Sequence, residues 1–376
     1  MILFLHNRYR TTGGEERAVD DLLWLVREHL GEDAQLLARD SAALGRAHAA
    51  AGLLRGGLAP EEVAAAVRRS GARIVHAHNL NPSLGWRALA AARAAGARTV
   101  LHLHNYRLVC AVGTCFTRGA DCMRCHGRDT RPGVRLNCRD TGAEAAVYGA
   151  SLALWQRRLL AHADAVVVPS AFALQRLRAL GAPLPARDGG PSAHVVGHVV
   201  RDVVERSAAA DGAYALVVSR LAAEKGVEVA IAACVAARVP LVIAGDGPLL
   251  DTLRARATGT DTRFAGRVGD GELARLRAGA GLAVVPSRSA ETFGLAAAEG
   301  MAAGLPVAGS AIGALPELCG ADGLVAPGDA AALALAVRAR FGDAEAGEAG
   351  LKRVLRIAAP RAVADALSSV YEAVGA

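Results

Sequence analysis

The feature that most constrains the fold is an alternation of short apolar runs with longer helical stretches, which occurs twice. In the first half the runs lie at 2–5, 73–77, 99–103, 165–168 and 195–196, and in the second at 214–218, 241–244, 263–265, 282–285 and 307–308. Alanine- and leucine-rich stretches such as Glu61–Ser70, Leu84–Ala95 and Glu272–Ala278 separate them. Strands that are apolar throughout and alternate with helices indicate a parallel sheet covered on both faces. The pattern therefore predicts two doubly wound α/β domains.

The length of the chain agrees with two domains, because 376 residues are too many for one ordinary core. A segment rich in proline and glycine, Ala182–Ala193, lies between the two series of strands and is the predicted linker. It places the first domain at 1–193 and the start of the second at 194.

The charge of the chain is uneven and limits its partners. Residues 1–200 hold 25 Arg and 16 Asp and Glu, a net charge of +9, whereas the rest has a net charge of −2. A basic half suits phosphates or an anionic membrane surface. No basic run is interleaved with aromatics, so we expect no nucleic-acid partner. No apolar run of about 18 residues occurs, and Met1–Leu5 is too short for a signal peptide. We expect a cytoplasmic protein, with peripheral contact to the inner membrane face as an alternative.

Polar residues follow several strands of the first half. Gly13 and Gly14 come between the first strand and a helix, His78 ends one strand, and His104 and Asn105 end the next. Open α/β sheets bind ligands at the carboxyl ends of their strands. A glycine turn into a helix can offer backbone amides to an anion, or it can be a plain turn. His104 is a candidate functional residue.

The second half carries a candidate diphosphate site. Arg220 and Lys225 follow the strand 214–218, where two cations can clamp a diphosphate. Lysine is rare here, because 41 of the 43 basic residues are arginine and only Lys225 and Lys352 are not. The alternative is a solvated charge at the start of a helix.

A second candidate site lies at residues 286–300. The amides of Phe293, Gly294 and Leu295 would form the N-terminus of a helix and attract an anion. Glu291 precedes this turn and Glu299 lies inside the helix, so both carboxylates could accept hydrogen bonds from hydroxyls of one ligand. The alternative roles are helix capping for Glu291 and solvent exposure for Glu299. The apolar neighbours of Glu299 make an unpaired carboxylate there costly, which favours binding.

Together these motifs resemble the pattern of retaining glycosyltransferases of family 4, which include bacterial members and have the GT-B fold. The carboxylate pair Glu291-x7-Glu299 with its Phe-Gly-Leu core carries the resemblance. Other matching segments follow the family order: Gly13-Gly14, Ser219-Arg220 with Lys225, Gly245-Asp246-Gly247-Pro248, Gly266-Arg267-Val268, Leu305-Pro306-Val307, Gly313 and Pro316-Glu317-Leu318. The resemblance implies two Rossmann-like domains facing across a cleft. Residues 1–193, joined by a C-terminal helix at 360–376, would be the acceptor domain, and 194–359 the nucleotide-sugar donor domain.

The resemblance also implies roles for individual residues. Arg220 and Lys225 would neutralise the leaving diphosphate, and His104 would lie beside the transferred sugar. Glu291 would grip the donor sugar and Glu299 the ribose. These roles make His104, Glu291, Arg220 and Lys225 the catalytic set. The implied substrate-binding set is Gly13, Gly14, Gly247, Val268, Phe293, Gly294, Leu295 and Glu299.

The implied reaction is transfer of a hexosyl group from a nucleoside-diphosphate sugar with retention of configuration (EC 2.4), in glycan or glycoconjugate biosynthesis. No catalytic metal is implied, because cations and helix dipoles stabilise the leaving charge. The acceptor can be a saccharide, a lipid-linked molecule or a small molecule, and the base of the donor can be uracil or guanine. The alternatives are a non-catalytic nucleotide-sugar-binding protein and a GT-B phosphorylase or epimerase. A dinucleotide-dependent dehydrogenase is disfavoured because neither half has a Gly-x-Gly-x-x-Gly motif after its first strand.

The segment 110–138 departs from the family pattern, as does His198, which stands where members commonly have asparagine. The segment holds five of the seven cysteines. Cys122 and Cys125 form a metal-type knuckle, and Cys110 and Cys138 flank it, so these four could hold a structural zinc ion. Reduced buried cysteines are the first alternative, and a disulfide or redox role is the second. Cys115, outside this set of four, is expected to be an ordinary apolar residue.

Overall fold

The structure is a computed structural model that describes residues 1–9, 13–139, 141–184, 192–201, 203 and 205–375. The strands are β1 Ile2–Arg8, β2 Ala34–Asp40, β3 Ile74–Ala77, β4 Arg98–His102, β5 Phe116–Thr117, β6 Ala120–Asp121, β7 Ala165–Val168, β8 Ser192–Val195, β9 Tyr214–Val218, β10 Leu241–Ala244, β11 Thr262–Gly266, β12 Ala280–Val285, β13 Val307–Ser310 and β14 Leu324–Val325. The helices are α1 Gly14–His29, α2 Arg46–Arg55, α3 Pro60–Ser70, α4 Gly85–Ala94, α5 Arg131–Arg135, α6 Gly142–Ala161, α7 Ala171–Ala179, α8 Val227–Ala237, α9 Leu250–Arg256, α10 Asp270–Ala278, α11 Leu295–Ala302, α12 Leu315–Cys319, α13 Ala330–Arg340, α14 Ala344–Ala358 and α15 Pro360–Ala373. Short 3-10 turns lie at Ala209–Asp211 and Ala223–Lys225.

The chain divides into two compact units, each built on its own parallel sheet. The first unit comprises residues 1–117, 122–199 and 363–376. Its six strands lie in the order β2-β1-β3-β4-β7-β8. The C-terminal helix α15 packs on one face of this sheet, where Leu367 and Tyr371 join the same core cluster as Phe4 and Val100. The end of the chain is therefore part of the core of the first unit.

The second unit comprises residues 118–121 and 200–362, and its sheet has the order β11-β10-β9-β12-β13-β14. Separate apolar clusters cover its two faces. Helices α8 and α13 contribute to one, through residues such as Ile231 and Leu333. Helices α11 and α14 contribute to the other, through residues such as Met301 and Val354. Both faces of the sheet are thus buried, which explains why its strands are apolar along their length.

The prediction of two doubly wound parallel sheets is confirmed. The strand predicted at 195–196 is shifted, since β8 spans Ser192–Val195. The prediction missed β2, an edge strand with intermittent burial whose short apolar run at 36–38 is flanked by polar residues. Residues 185–191 of the predicted linker lie outside the described residues. Among the described helices, none combines the length and apolarity needed to cross a membrane.

Candidate active site

In the second unit the order of the strands creates a crevice at the carboxyl ends of β9 and β12. These two strands are neighbours, with β10 and β11 on one side and β13 and β14 on the other. Such a reversal of strand order is where open α/β sheets bind their ligands. The segment Ser219–Lys225 follows β9 and the segment Pro286–Glu291 follows β12. The two predicted clusters of charge therefore meet at the switch point.

The contact across this switch point is an ion pair between Lys225 and Glu291. The Nζ atom of Lys225 lies 2.7 Å from Oε1 of Glu291, and the hydroxyl of Ser287 donates to the same oxygen at 2.7 Å. Burial by itself would raise the pKa of Glu291, but Lys225 and the hydroxyl of Ser287 outweigh it and lower the pKa. Glu291 is therefore a carboxylate, and Lys225 is held at the ends of both strands.

Arg220, the other predicted cation, pairs with Glu224 four residues along the chain. Half of its side chain remains exposed to solvent. The Glu224 side chain is only 14% exposed, so the exposed part of the pair is the guanidinium of Arg220, which is open to a ligand from the solvent side.

Two glycines allow the loops around the switch point to approach. A Cβ atom on Gly247 would lie 2.7 Å from the backbone nitrogen of Leu221, so only glycine lets these two loops touch. Gly294 has a φ of +94° and is the N-cap of α11, without a side-chain cap. The predicted helix start at Phe293–Leu295 is confirmed, with Phe293 buried beneath it. The dipole of helix α11 adds positive potential near Glu291 and Lys225.

Glu299 is buried inside α11, as its apolar neighbours predicted, and it pairs with Arg277 from α10. Arg277 is itself only 8% exposed, and sequence reasoning did not find it. The available signal was weak, because an arginine on a helix with several other charged residues looks like a surface residue. The half-buried Val268 and Leu295 pack against the core cluster that contains Met301 and Val354. The carboxylate of Glu299 is thus fixed by a partner on a different helix.

In the first unit, His104 follows β4 and belongs to a face of the sheet rich in buried histidines. Its Nε2 lies 2.7 Å from Nδ1 of His78, which follows β3. The ring of His104 stacks on the rings of His102 and His198, at centroid distances of 4.1 and 5.1 Å. His102, the last residue of β4, is fully buried.

The remaining histidines of this face also have partners. Nδ1 of His76 lies 2.8 Å from the hydroxyl of Tyr371 on α15, and its Nε2 lies 3.3 Å from Nδ1 of His102. One ring nitrogen from each of His76, His78 and His102 lies within 4.8 Å of the other two. Burial lowers the pKa of His76 to about 3, so its imidazole is neutral in the folded protein.

The glycine turn after β1 is closed by the chain's own carboxylate. Glu16 accepts hydrogen bonds from the backbone amides of Tyr9 at 2.9 Å and Gly13 at 2.8 Å. Gly14 then begins α1. The neighbouring Glu15 accepts from the hydroxyl of Tyr9 at 2.7 Å and from the amide of Asn105 at 2.9 Å. The predicted anion site at Gly13 is therefore occupied by Glu16 in this structure.

Glu15, Asn105 and His104 line one pocket of the first unit. The other chemically notable lining residues are His78, Asn79, Asn81, Trp86, Arg107, Trp155 and Gln156. Burial raises the pKa of Glu15, which is unusual for a carboxyl group at a helix start. A concave site with aromatic walls, a few polar groups and a shifted carboxyl group has the properties of a small-molecule site.

All five cysteines of the segment 110–138 line one small cavity, and all are free thiols. Cys115 was expected to be an ordinary apolar residue, but it lines this cavity and its thiol makes a hydrogen bond to the sulfur of Cys110. This hydrogen bond is the main reason why the pKa of Cys110 is lowered, to about 6. The turn between Cys115 and Cys122 is closed by a hydrogen bond from the amide of Cys122 to the carbonyl of Cys115 at 2.7 Å.

Two family models match the chain. The model described as Glycosyl transferases group 1 matches residues 212–343, and the Glycosyl transferase 4-like domain matches residues 24–188. The first match lies within the second unit, and the second match lies within the first unit apart from residues 118–121. The chain therefore carries the two domains of the GT-B glycosyltransferase class.

Individual relatives agree with this class. The chain is 42% identical over 145 residues to a glycogen synthase of Mycobacterium tuberculosis, covering 35% of each chain. It is 45% identical over 100 residues to a GDP-mannose-dependent alpha-(1-6)-phosphatidylinositol dimannoside mannosyltransferase of the same species, covering 26% of each. The matches span about a third or less of these relatives. HepE of Anabaena, solved with UDP and glucose, has the same fold: its TM-score is 0.64 at 17% identity, over 98% of this chain and 99% of HepE.

Proposed function

We propose that this protein is a retaining glycosyltransferase that moves a hexosyl group from a nucleoside-diphosphate sugar to an acceptor hydroxyl. The observation that carries the proposal is the Lys225–Glu291 pair at the switch point of the second sheet, beside the N-terminus of α11. One cation, one carboxylate and one helix dipole suit the diphosphate and the hydroxyls of such a donor. The buried Glu299 on the same helix supplies a second acceptor for hydroxyls.

The leaving group explains the two cations. As the bond between the sugar and the diphosphate breaks, negative charge builds up on the diphosphate. Lys225 and Arg220 stabilise that charge together with the amides of the Phe293–Leu295 turn, so no catalytic metal is required. The acceptor oxygen bonds to the anomeric carbon on the face that the diphosphate leaves, and its proton passes to a diphosphate oxygen. Configuration is then retained.

The same proposal assigns a binding residue to each part of the donor. Glu299 binds the ribose, Glu291 the sugar, and the loops at Gly247 and Val268 the rest of the nucleotide. HepE was solved with UDP, whereas the mannosyltransferase is named for GDP-mannose. Both bases therefore belong in the first donor screen.

The acceptor is assigned to the domain at 1–193 with its closing helix at 360–376, and the donor to 194–359. His104 lines the acceptor pocket, and the turn at Gly13 and Gly14 is assigned to substrate binding. The acceptor is a saccharide, a small molecule or a lipid-linked molecule presented at the inner face of the membrane. The net charge of +9 on residues 1–200 supports weak docking of a cytoplasmic protein on anionic lipid.

A structural zinc ion is also part of the proposal. Thiolates are ligands that zinc prefers, and Cys110, Cys122, Cys125 and Cys138 line one cavity. Burial raises the pKa of Cys125, while hydrogen bonds from the backbone of Ala111 and Gly133 to its sulfur act in the opposite direction and favour the thiolate. Backbone donors of this kind orient and stabilise thiolate ligands. The ion would hold the segment 110–138 in one conformation.

The test is turnover by a Lys225→Ala variant. Loss of one donor that stabilises the leaving charge costs about 100-fold in kcat/KM. The matched control is Lys352→Ala, which removes the only other lysine, an exposed residue paired with Glu348 on α14. Near-normal turnover by Lys225→Ala would overturn the assignment of the clamp.

The same assay separates transfer from its rivals. A glycosyltransferase releases free nucleoside diphosphate when an acceptor is present. A phosphorylase instead releases sugar phosphate and requires inorganic phosphate, and a non-catalytic binder releases nothing. Release that does not depend on any acceptor in a panel of saccharides and lipid-linked sugars would contradict the proposal.

A further inference from the structure

The pocket of the first unit has one positively charged side chain among its described lining residues, that of Arg107. The other titratable groups in the lining are the carboxyl group of Glu15 and the imidazoles of three histidines. Burial lowers the pKa of these histidines well below 6.5, so the rings of His78, His102 and His104 are neutral. The charge in the wall of the pocket is therefore that of one guanidinium and one carboxyl group.

The hydrogen-bond donors of Arg107 are unused by the protein. Among the described residues its guanidinium forms neither an ion pair nor a hydrogen bond, and its Nε atom is buried. A guanidinium carries several N–H donors and no acceptor. Removing such a cation from water is costly unless an anion or a hydrogen-bond acceptor compensates it. The wall of the pocket thus presents a cation that lacks an acceptor for its protons.

Packing holds Arg107 in this position. Its Cζ atom lies 4.2 Å from the centre of the Tyr9 ring, which covers one face of the guanidinium. Its backbone amide donates to Oδ1 of Asn105 at 2.9 Å. Gly113 has a φ of +91°, and a Cβ atom there would lie 2.4 Å from Cγ of Arg107, so this glycine leaves room for the arginine stem. Stacking on a ring face leaves the in-plane N–H groups available to a ligand.

Glu15 does not serve as the missing partner. Its Oε2 atom accepts hydrogen bonds from the hydroxyl of Tyr9 at 2.7 Å and from the amide of Asn105 at 2.9 Å. Burial raises the pKa of Glu15, although Arg107 acts in the opposite direction. The carboxyl group therefore takes up a proton more readily than that of an ordinary glutamate. This reduces the repulsion that an anion in the same pocket would meet.

We infer that the pocket of the first unit contains a subsite for an oxyanion, a phosphate or carboxylate group, which the guanidinium of Arg107 binds. The planar fork of N–H donors matches two oxygens of such a group. The apolar walls, which include Trp86 and Trp155, make the attraction stronger than it would be in water. The inference that the acceptor is an anionic molecule rests on the proposed function. Binding of the anion itself does not depend on transfer and can be measured without a donor.

The experiment is calorimetric titration of the whole chain with inorganic phosphate, glucose 6-phosphate and glucuronate, with neutral glucose as the matched ligand without a charge. We expect an anionic ligand to bind at least about 10-fold more tightly than glucose, as for a hydrogen bond to a charged group. In Arg107→Met, which keeps an unbranched stem against Tyr9, this preference should be lost. Arg107→Lys keeps the charge but not the fork, so its affinity should lie between the two.

Two further variants control for charge and for place. Arg158→Met removes an exposed arginine of α6 that lies over the ring of Trp86 and is absent from the described lining of the pocket. It should leave anion binding unchanged, which excludes a general effect of net charge. Lys225→Ala removes a cation of the donor site in the second unit. Anion binding that persists in this variant and is lost in Arg107→Met belongs to the pocket of the first unit.

The source of the anion is decided by a second comparison. Glucose 6-phosphate represents a soluble acceptor, and farnesyl phosphate in detergent micelles represents a lipid-linked one, with farnesol as its uncharged control. The tighter of the two phosphates identifies the source. Either order supports the subsite, provided that the advantage over the uncharged control is lost in Arg107→Met.

The outcomes are distinguishable. Absence of binding by every anionic ligand overturns the inference, and so does binding that is unchanged in Arg107→Met. Equal losses in Arg107→Met and Arg158→Met, or a loss in Lys225→Ala instead, have the same consequence. Hydrogen exchange over residues 98–110 shows whether the loop that carries Arg107 keeps its structure in each variant, and Arg107→Lys tests the charge where Arg107→Met unfolds it. Arg107-dependent anion binding in a protein that shows no transfer would count against the proposed function and leave the subsite standing.

Discussion

At the scale of single residues, the two carboxylates of the donor site differ in what holds them. Glu291 is held by Lys225 and Ser287 at the switch point, whereas Glu299 is held by Arg277 inside the unit. If Glu299 binds ribose, Glu299→Gln should weaken the affinity for free nucleoside diphosphate about 10-fold or more, as for a lost hydrogen bond to a charged group. Glu291→Gln should leave that affinity unchanged and impair transfer. Calorimetry with UDP and GDP measures both.

Glutamine is the better substitution for Glu299, because alanine would leave Arg277 buried without a partner and destabilise the protein. Arg277→Met combined with Glu299→Gln removes both charges and separates stability from binding. Equal losses of nucleotide affinity in the two glutamine variants would contradict the division of roles.

At the scale of elements, the segment that contains β5, β6 and α5 has few long apolar side chains and five cysteines on one cavity. Protein purified without added metal should contain about one zinc per chain, as a four-thiolate site requires. Cys125→Ser should lose the zinc and increase hydrogen exchange within 110–138. The control Cys234→Ser, a buried thiol on α8, should keep it. Absence of zinc with every thiol titratable would support reduced cysteines instead.

At the scale of the whole molecule, the charge is concentrated in the first 200 residues. An anionic leaflet attracts each basic residue near its surface by about 1 kcal/mol, within a Debye length of about 8 Å. Sedimentation with anionic vesicles should therefore show binding at low salt that is lost by about 0.5 M salt, where screening is nearly complete. Neutral vesicles are the control. Equally negligible binding to both kinds of vesicle would favour a soluble acceptor.

The sequence by itself determined the class of the fold, most of the strands and the residues that follow them. Apolar strand cores and glycine turns are local patterns, and the motif around Glu291 and Glu299 is contiguous in the chain. For the same reason the amino-acid sequence is enough to identify Lys225 and His104 as candidates.

Only the tertiary structure decided the partners of these residues. Arg277 meets Glu299 because α10 and α11 contribute to the same core cluster on one face of the sheet. Lys225 meets Glu291 because β9 neighbours β12, and His78 meets His104 because β3 neighbours β4. These pairs are separated by 22, 66 and 26 residues. Strand order and helix packing arise from burial of the whole apolar surface, to which every element contributes, and no local pattern encodes them.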